Sequence, residues 1–253
     1  MAARFGRATL RLLILLLSLL EIAGSLALLR FRCGSWLEHS DRANWLHRSC
    51  NKLLRRLRID AQYRGLRPAR GLVCSNHLSY LDIPVYAAAV PCVFVAKAEV
   101  ARWPLIGFFA RAAGTIFIDR GSRASTEEVA RRIMAVLDAG IPVLLFPEGT
   151  STDGSVVLRF HPSLLEPATR LGAEMTAAAV GYHASGGTER QICWYGDASL
   201  LPHVLRTLGQ AGLAAEVEFF PERDPFTERK MAALGLRERV EAIRRRMLRA
   251  IPN

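Results

Sequence analysis

The stretch Leu72-Val73-Cys74-Ser75-Asn76-His77-Leu78-Ser79-Tyr80-Leu81-Asp82-Ile83-Pro84 decides how the chain is read. Its apolar start, Leu72 to Cys74, predicts a buried strand. Pro84 predicts a helix over 83–90 that begins near 79–82, because proline is accommodated only in the first turn of a helix. His77 then stands in the loop before the helix and Asp82 at its mouth. Five residues along a regular helix is a rotation of about 500°, so the two side chains meet only where the backbone turns between them. A strand that delivers such a pair suits proton removal from an alcohol. Imidazole titrates near neutrality, and a carboxylate on one ring nitrogen stabilises the imidazolium formed when the other takes a proton. A plainer reading competes: Ser79 and Asp82 also fit a Ser-x-x-Asp capping box, in which they serve only the free amides of the helix and His77 has no special role.

Two further stretches extend the pattern. Ile141 to Phe146 is a second apolar run, and it stops at Pro147-Glu148-Gly149-Thr150. A strand that ends this way puts a carboxylate and an approachable backbone at the carboxyl edge of a sheet, where open α/β folds build their sites. Pro147 and Gly149 are also ordinary turn residues, and Glu148 would then be merely solvated. Gly114-Thr115-Ile116-Phe117-Ile118-Asp119-Arg120 is a short β-branched and aromatic strand that ends on a cation.

Taken in order, NHLSYLD at 76–82, GTIFIDR at 114–120 and FPEGT at 146–150 resemble the glycerolipid acyltransferases, specifically the 1-acylglycerol-3-phosphate (lysophospholipid) acyltransferase family. The resemblance covers roughly residues 60–185 and implies that His77 is the general base and Asp82 its orienter. It also implies that Glu148 and Gly149, with Thr150 beside them, help to hold the acceptor. Arg120 and Lys97 would bind a phosphate. The third motif of the family continues with Arg and Ser, whereas Ser151 and Thr152 follow here, so Arg159 is the expected replacement for the missing phosphate ligand. The fourth motif is present only loosely, as Ala177 to Val180. What the resemblance implies is acyl transfer from acyl-CoA or acyl carrier protein to the free hydroxyl of a lysolipid. The acceptor would be 1-acylglycerol-3-phosphate, giving phosphatidate, with a lyso-ornithine lipid or another lysophospholipid as the alternative. Neither a metal nor a resident cofactor is expected. No Gly-x-Ser-x-Gly elbow is present to support a covalent acyl-enzyme. A non-catalytic lipid-binding membrane protein is the rival from another class, and a membrane-bound hydrolase using the same base on water is a third reading.

Composition bounds the rest. The 253 residues, 51% hydrophobic, are enough for one substantial core, and no flexible linker divides them. The formal charge of +11 is carried by 31 arginines and 3 lysines, concentrated in 42–70 and 237–249. Basic segments with apolar residues at helical spacing suit an anionic lipid surface. No nucleic-acid reading motif, zinc spacing or aromatic-basic interleaving accompanies them, so nucleic acid is not an expected partner. The five cysteines lack any C-x-x-C spacing, which argues against a disulfide framework and fits a cytosol-facing protein.

Residues 10–29 are almost wholly apolar, with Arg4 and Arg7 before them and Arg30 and Arg32 after, about the length of one membrane span. A cleaved signal, a transmembrane anchor and a helix embedded in one leaflet compete. The length of the stretch and the arginines that follow it disfavour cleavage. The basic load after residue 30 predicts a membrane-associated body on the cytoplasmic face. Residues 35–58, with Trp36, Trp45, Leu53 and Leu57 among Arg and Lys, predict an amphipathic interfacial helix, with packing of these Trp and Leu on the core as the plainer reading. Residues 1–58 are therefore expected to form anchoring helices and 59–253 a catalytic domain.

Within that domain strands are expected near 71–75, 92–96, 115–118, 141–146, 174–180, 190–195 and 214–220. Helices are expected near 83–90, 99–112, 126–139, 163–171, 199–210 and 228–250. A capping box at Ser125 and Glu128 would open the third helix, and Asp197 would cap the fifth. This alternation predicts an α/β fold, a mostly parallel central sheet with helices on both faces, with the last strands free to pair otherwise.

Overall fold

The computed structural model describes residues 2–34, 36–119 and 123–249, with the backbone alone at 123–126. Two helices come first, α1 (Ala2–Cys33) and α2 (His39–Leu57). The strands that follow are β1 (Ile59–Arg64), β2 (Leu72–Ser75), β3 (Val93–Lys97), β4 (Ile116–Ile118), β5 (Val143–Leu145), β6 (Met175–Ala184) and β7 (Leu213–Pro221). Interleaved with them are α3 (Asp82–Ala89), α4 (Ile106–Ala112), α5 (Arg123–Asp138), α6 (Glu166–Leu171), α7 (Leu200–Leu208) and α8 (Arg229–Arg249). The sheet order is β1-β7-β6-β2-β5-β3-β4. All neighbours run parallel except β6 and β7, which pair antiparallel from Thr176 opposite Pro221 to Ala184 opposite Leu213.

The parallel strands are apolar on both faces because helices cover both. Leu72, Cys74, Val143, Leu145 and Ala177 point into one core with Val129 of α5, Ala168 of α6 and Val240 of α8. Val73, Leu144, Ala178 and Val180 point into the other, with Leu54 of α2, Val85 of α3 and Leu208 of α7, and Leu12 and Leu15 of α1 pack against it. The anchor-like helices therefore lie on one side of the sheet and α8 on the other.

Four expectations about elements need correction. Residues 190–195 do not form a strand: Glu189–Gln191 is a 3₁₀ turn, and the amides of Ile192 and Cys193 both donate to the Glu189 carbonyl, which coils the backbone back on itself. The expected helix over 99–112 is broken by Pro104 into a 3₁₀ turn at Ala98–Arg102 and α4. Strand β1 had no counterpart in the expectation. It starts directly after α2, where Arg58 ends the helix in the left-handed conformation, and it is an edge strand with only alternate residues half-covered. The N-cap of α7 is Ser199 and not Asp197. α5 begins at Arg123, and the Ser125 side chain lies outside the described residues.

Helix α1 is long and apolar enough to cross a membrane by length and composition, and only 11% of its most apolar window is buried. Leu10, Leu13, Leu16, Leu17, Leu20, Leu28 and Phe31 are exposed along it. Its other face is docked throughout. Arg11 donates to the carbonyls of Leu208 (3.1 Å) and Gln210 (2.7 Å) at the end of α7, and Arg7 to that of Gly209. Glu21 pairs with Lys52 and Arg56 of α2, and Ser25 accepts the indole N–H of Trp45 at 2.9 Å.

Candidate active site

The site grows from the carboxyl end of β2. Asn76 continues the ladder with its side chain: Nδ2 donates to the Val180 carbonyl (3.1 Å) and Oδ1 accepts from the Val180 amide (2.9 Å). The main chain is thereby pinned to β6 while it turns outward, and His77 is the first residue free of the sheet.

His77 is then gripped from β5. Its amide donates to Glu148 Oε1 at 2.8 Å, and its carbonyl accepts from the Thr152 amide at 2.9 Å. The imidazole lies on the Phe146 ring, with centroids 4.2 Å apart and planes 17° from parallel. Nδ1 meets Asp82 Oδ2 at 2.6 Å, and Nε2 has no hydrogen-bond partner among the described residues. The side chain is 24% exposed, so the free nitrogen faces a reachable space.

Asp82 is fully buried. Besides His77, its Oδ2 accepts the amides of Leu78 (2.7 Å) and Ser79 (3.1 Å), while Oδ1 accepts the phenol of Tyr182 at 2.5 Å. A buried carboxylate is costly unless its lone pairs are met, and here donors of three kinds meet them. Burial, and then the charge and hydrogen bond of Asp82, push the Tyr182 phenol well above its ordinary range, so it stays a donor. The competing capping box does not form: helix α3 starts at Asp82, and the buried Ser79 hydroxyl has no partner among the described residues.

Glu148 is 4% exposed, and its two oxygens are both engaged, Oε1 by His77 and Oε2 by the Leu158 amide at 2.7 Å. It braces the base loop against the segment after β5. Burial raises its carboxyl to about 7, against the lowering effect of the two amides. Gly149 takes φ of 72° as its amide closes a turn onto the Phe146 carbonyl, a conformation that disfavours any side chain. Thr150 is exposed beside it.

Lys97 is exposed at the end of β3, on the same sheet edge as His77. Arg120 lies outside the described residues. Arg159 is exposed and lines a groove against α8 with Lys230 and Arg237. Ser151, where the family pattern has Arg, donates its hydroxyl to the Trp194 carbonyl at 2.5 Å, and Trp194 donates its amide to the Leu78 carbonyl at 2.7 Å. The 193–198 segment is thus strapped across the base loop.

Sequence reasoning missed Tyr182, Asn76 and the buried pair Arg244–Glu189. In that pair Arg244 holds the carbonyls of Gly154 and Val180 while Glu189 accepts the Tyr182 amide. A phenol among the alanines of β6 was the available signal for Tyr182.

The chain matches the family described as Acyltransferase over residues 59–181. A lyso-ornithine lipid O-acyltransferase of Pseudomonas aeruginosa is 37% identical over 170 residues, 66% of this chain and 64% of the relative. A 1-acyl-sn-glycerol-3-phosphate acyltransferase of Neisseria gonorrhoeae is 34% identical over 148 residues, 58% of each. A lyso-ornithine lipid O-acyltransferase of Rhizobium meliloti is 33% identical over 202 residues, 73% of this chain and 68% of the relative. The matched stretches thus span less than two thirds of the first two relatives. The crystal structure of a 1-acyl-sn-glycerophosphate acyltransferase from Thermotoga maritima shares the fold, with a TM-score of 0.66 at 21% identity over 98% of this chain and 99% of that one. The chain belongs to the acyltransferase family that includes the 1-acylglycerol-3-phosphate and lyso-ornithine lipid enzymes.

Proposed function

We propose that the chain is a membrane-associated lysolipid O-acyltransferase that takes its acyl group from a thioester, acyl-CoA or acyl carrier protein. The observation that carries this reading is the 2.6 Å contact of His77 Nδ1 with a buried Asp82, which leaves Nε2 open. Nε2 removes the proton of the acceptor hydroxyl as its oxygen attacks the thioester carbonyl. Asp82 stabilises the imidazolium. The tetrahedral adduct collapses to the new ester and expels the thiolate, which takes the proton back from Nε2. No covalent acyl-enzyme is needed.

The acceptor we favour is a lyso-ornithine lipid. Support comes from Ser151, which stands where the family pattern has a phosphate-binding arginine and whose hydroxyl is already committed to Trp194. Two of the relatives above carry that name. The second reading, 1-acylglycerol-3-phosphate, is favoured by Lys97, exposed at the edge of the site.

Helix α1, long and apolar enough to span a membrane, is the anchor, and the arrangement we favour lays it along the body. Its first turns reach the end of α7 and its last turns reach α2, so both ends stay with one body while the leucine face enters one leaflet. The arginines of α2 meet anionic headgroups on the cytoplasmic face. Residues 1–58 act as the anchor and 59–253 as the catalytic part.

The test is acyl transfer by purified protein from labelled acyl-CoA and acyl carrier protein to both acceptors, with acyl release to water measured in parallel. Transfer with a higher kcat/KM for lyso-ornithine lipid is expected. Hydrolysis without transfer would overturn the reading.

A further inference from the structure

A groove of about 630 Å³ runs between residues 156–160 and helix α8, lined by Val156, Leu158, Arg159, Lys230, Leu234 and Arg237, with no carboxylate among its lining residues. Most cations of this helix are balanced by glutamates. Arg229, Arg239, Arg244, Arg245 and Arg246 each pair with a glutamate. Within the groove, Arg237 is occupied with the carbonyls of Val157 and Leu158 and pairs with Glu241 at 3.8 Å, one turn along the helix. Arg159 and Lys230 make no hydrogen bond or ion pair with any described residue.

Its position carries the argument further. The Leu158 amide at its rim donates to Glu148 Oε2, and Glu148 Oε1 holds the His77 amide, so the groove is two hydrogen bonds from the base. It also lies on the α8 side of the sheet, opposite the core against which α1 and most of α2 pack. With α1 and α2 read as the anchor, a lipid acceptor would reach His77 from their side, which leaves the α8 side to a water-soluble reactant.

Resting on the acyl-transfer reading, we propose that this groove binds the phosphate of the phosphopantetheine arm of the thioester donor, through Arg159 and Lys230. The arm is common to coenzyme A and to acyl carrier protein. It joins a phosphate to a long flexible chain, and Val156, Leu158 and Leu234 offer that chain an apolar wall leading toward Glu148 and His77. Two cations unpaired among the described residues supply charge-assisted hydrogen bonds to the phosphate.

The test uses the full chain in detergent. Equilibrium binding of coenzyme A is measured by calorimetry for the unaltered protein, for the double variant Arg159→Gln with Lys230→Gln, and for Arg249→Gln, an exposed cation of α8 outside the groove. The double variant is expected to bind about tenfold or more weakly, the loss of one or two charge-assisted hydrogen bonds. Arg249→Gln should bind normally. In turnover, KM for acyl-CoA and acyl carrier protein should rise together, while KM for a phosphate-free S-acyl-pantetheine and for the lysolipid stays unchanged. A rise confined to one donor assigns the groove to that donor's arm. Undiminished coenzyme A binding, an equal loss in Arg249→Gln, or a raised lysolipid KM overturns the proposal. Binding is read without turnover, so the groove can fail while acyl transfer stands, and the reverse.

Discussion

The phenol of Tyr182 donates a 2.5 Å hydrogen bond to Oδ1 of Asp82, whose other oxygen holds His77. Strand β6 thus steadies the carboxylate that orients the base. Tyr182→Phe removes one buried donor and leaves Oδ1 unpaired, which costs on the order of 1–3 kcal/mol of stability. Turnover is expected to fall about tenfold, with the acceptor KM unchanged, because the phenol positions a catalytic group and touches no substrate. Urea unfolding and steady-state kinetics measure both; an unchanged kcat would show that the amides of Leu78 and Ser79 suffice to fix Asp82.

His77→Ala should lose about 10²–10⁴-fold in kcat, the usual contribution of general-base catalysis. The fold should survive, because the side chain is a loop residue packed on Phe146. Asp82→Asn should lose less activity than His77→Ala if Asp82 only orients. It should be the less stable protein, since an amide replaces an oxygen that accepts from buried donors. Comparable stability of both variants would contradict the picture of Asp82 as the hub of the loop.

Glu148 predicts a pH dependence of stability. Its folded carboxyl is raised from 4.5 to about 7, first by burial. A raised folded value means the native state binds the proton more tightly than the unfolded chain, so this contribution is full below about 4.5 and is lost as pH rises through about 7. The loss is on the order of 3 kcal/mol. Thermal unfolding from pH 4 to 8 should show that decline, and Glu148→Gln should flatten it.

The flat docking of α1 is testable by labelling. Cys33 at its end is exposed, while the other four cysteines are buried. A membrane-impermeant thiol reagent should reach Cys33 and an introduced Ala3→Cys from the same side of sealed vesicles. Labelling from opposite sides would mean that α1 crosses the bilayer. Removing residues 1–30 should weaken binding yet leave attachment to anionic vesicles that salt reverses, through the arginines of α2.

The acceptor separates two roles for the cations. If the substrate is a phosphate monoester, Arg120→Ala should cost about 1.5–3 kcal/mol of acceptor affinity, read as KM, with little effect on the donor. Lys97→Ala should act in the same direction. With a lyso-ornithine lipid as the acceptor, neither substitution should change KM much, and a large effect there would reverse the preference stated above.

The sequence by itself determined the strand–loop–helix unit that carries His77 and Asp82, the turn at Glu148-Gly149, the mostly parallel sheet and the apolar first helix. These follow from local constraints: apolar runs that must be buried, a proline confined to a first helical turn, and a glycine that tolerates positive φ. Local pattern failed where pairing was decided elsewhere. Apolar Ile192 and Cys193 resembled a strand but are buried in a coiled-back turn, and Ile59–Arg64 became an edge strand only because β7 lies beside it. Only the tertiary structure chose between a capping box and a catalytic pair for Asp82, because the choice depends on Tyr182, a hundred positions away along the chain. It likewise set Glu148 as a brace and laid α1 along the body through Arg11 and the last turn of α7. Hydrogen bonds between residues distant in sequence depend on which surfaces the packed sheet brings together, and no local pattern encodes that.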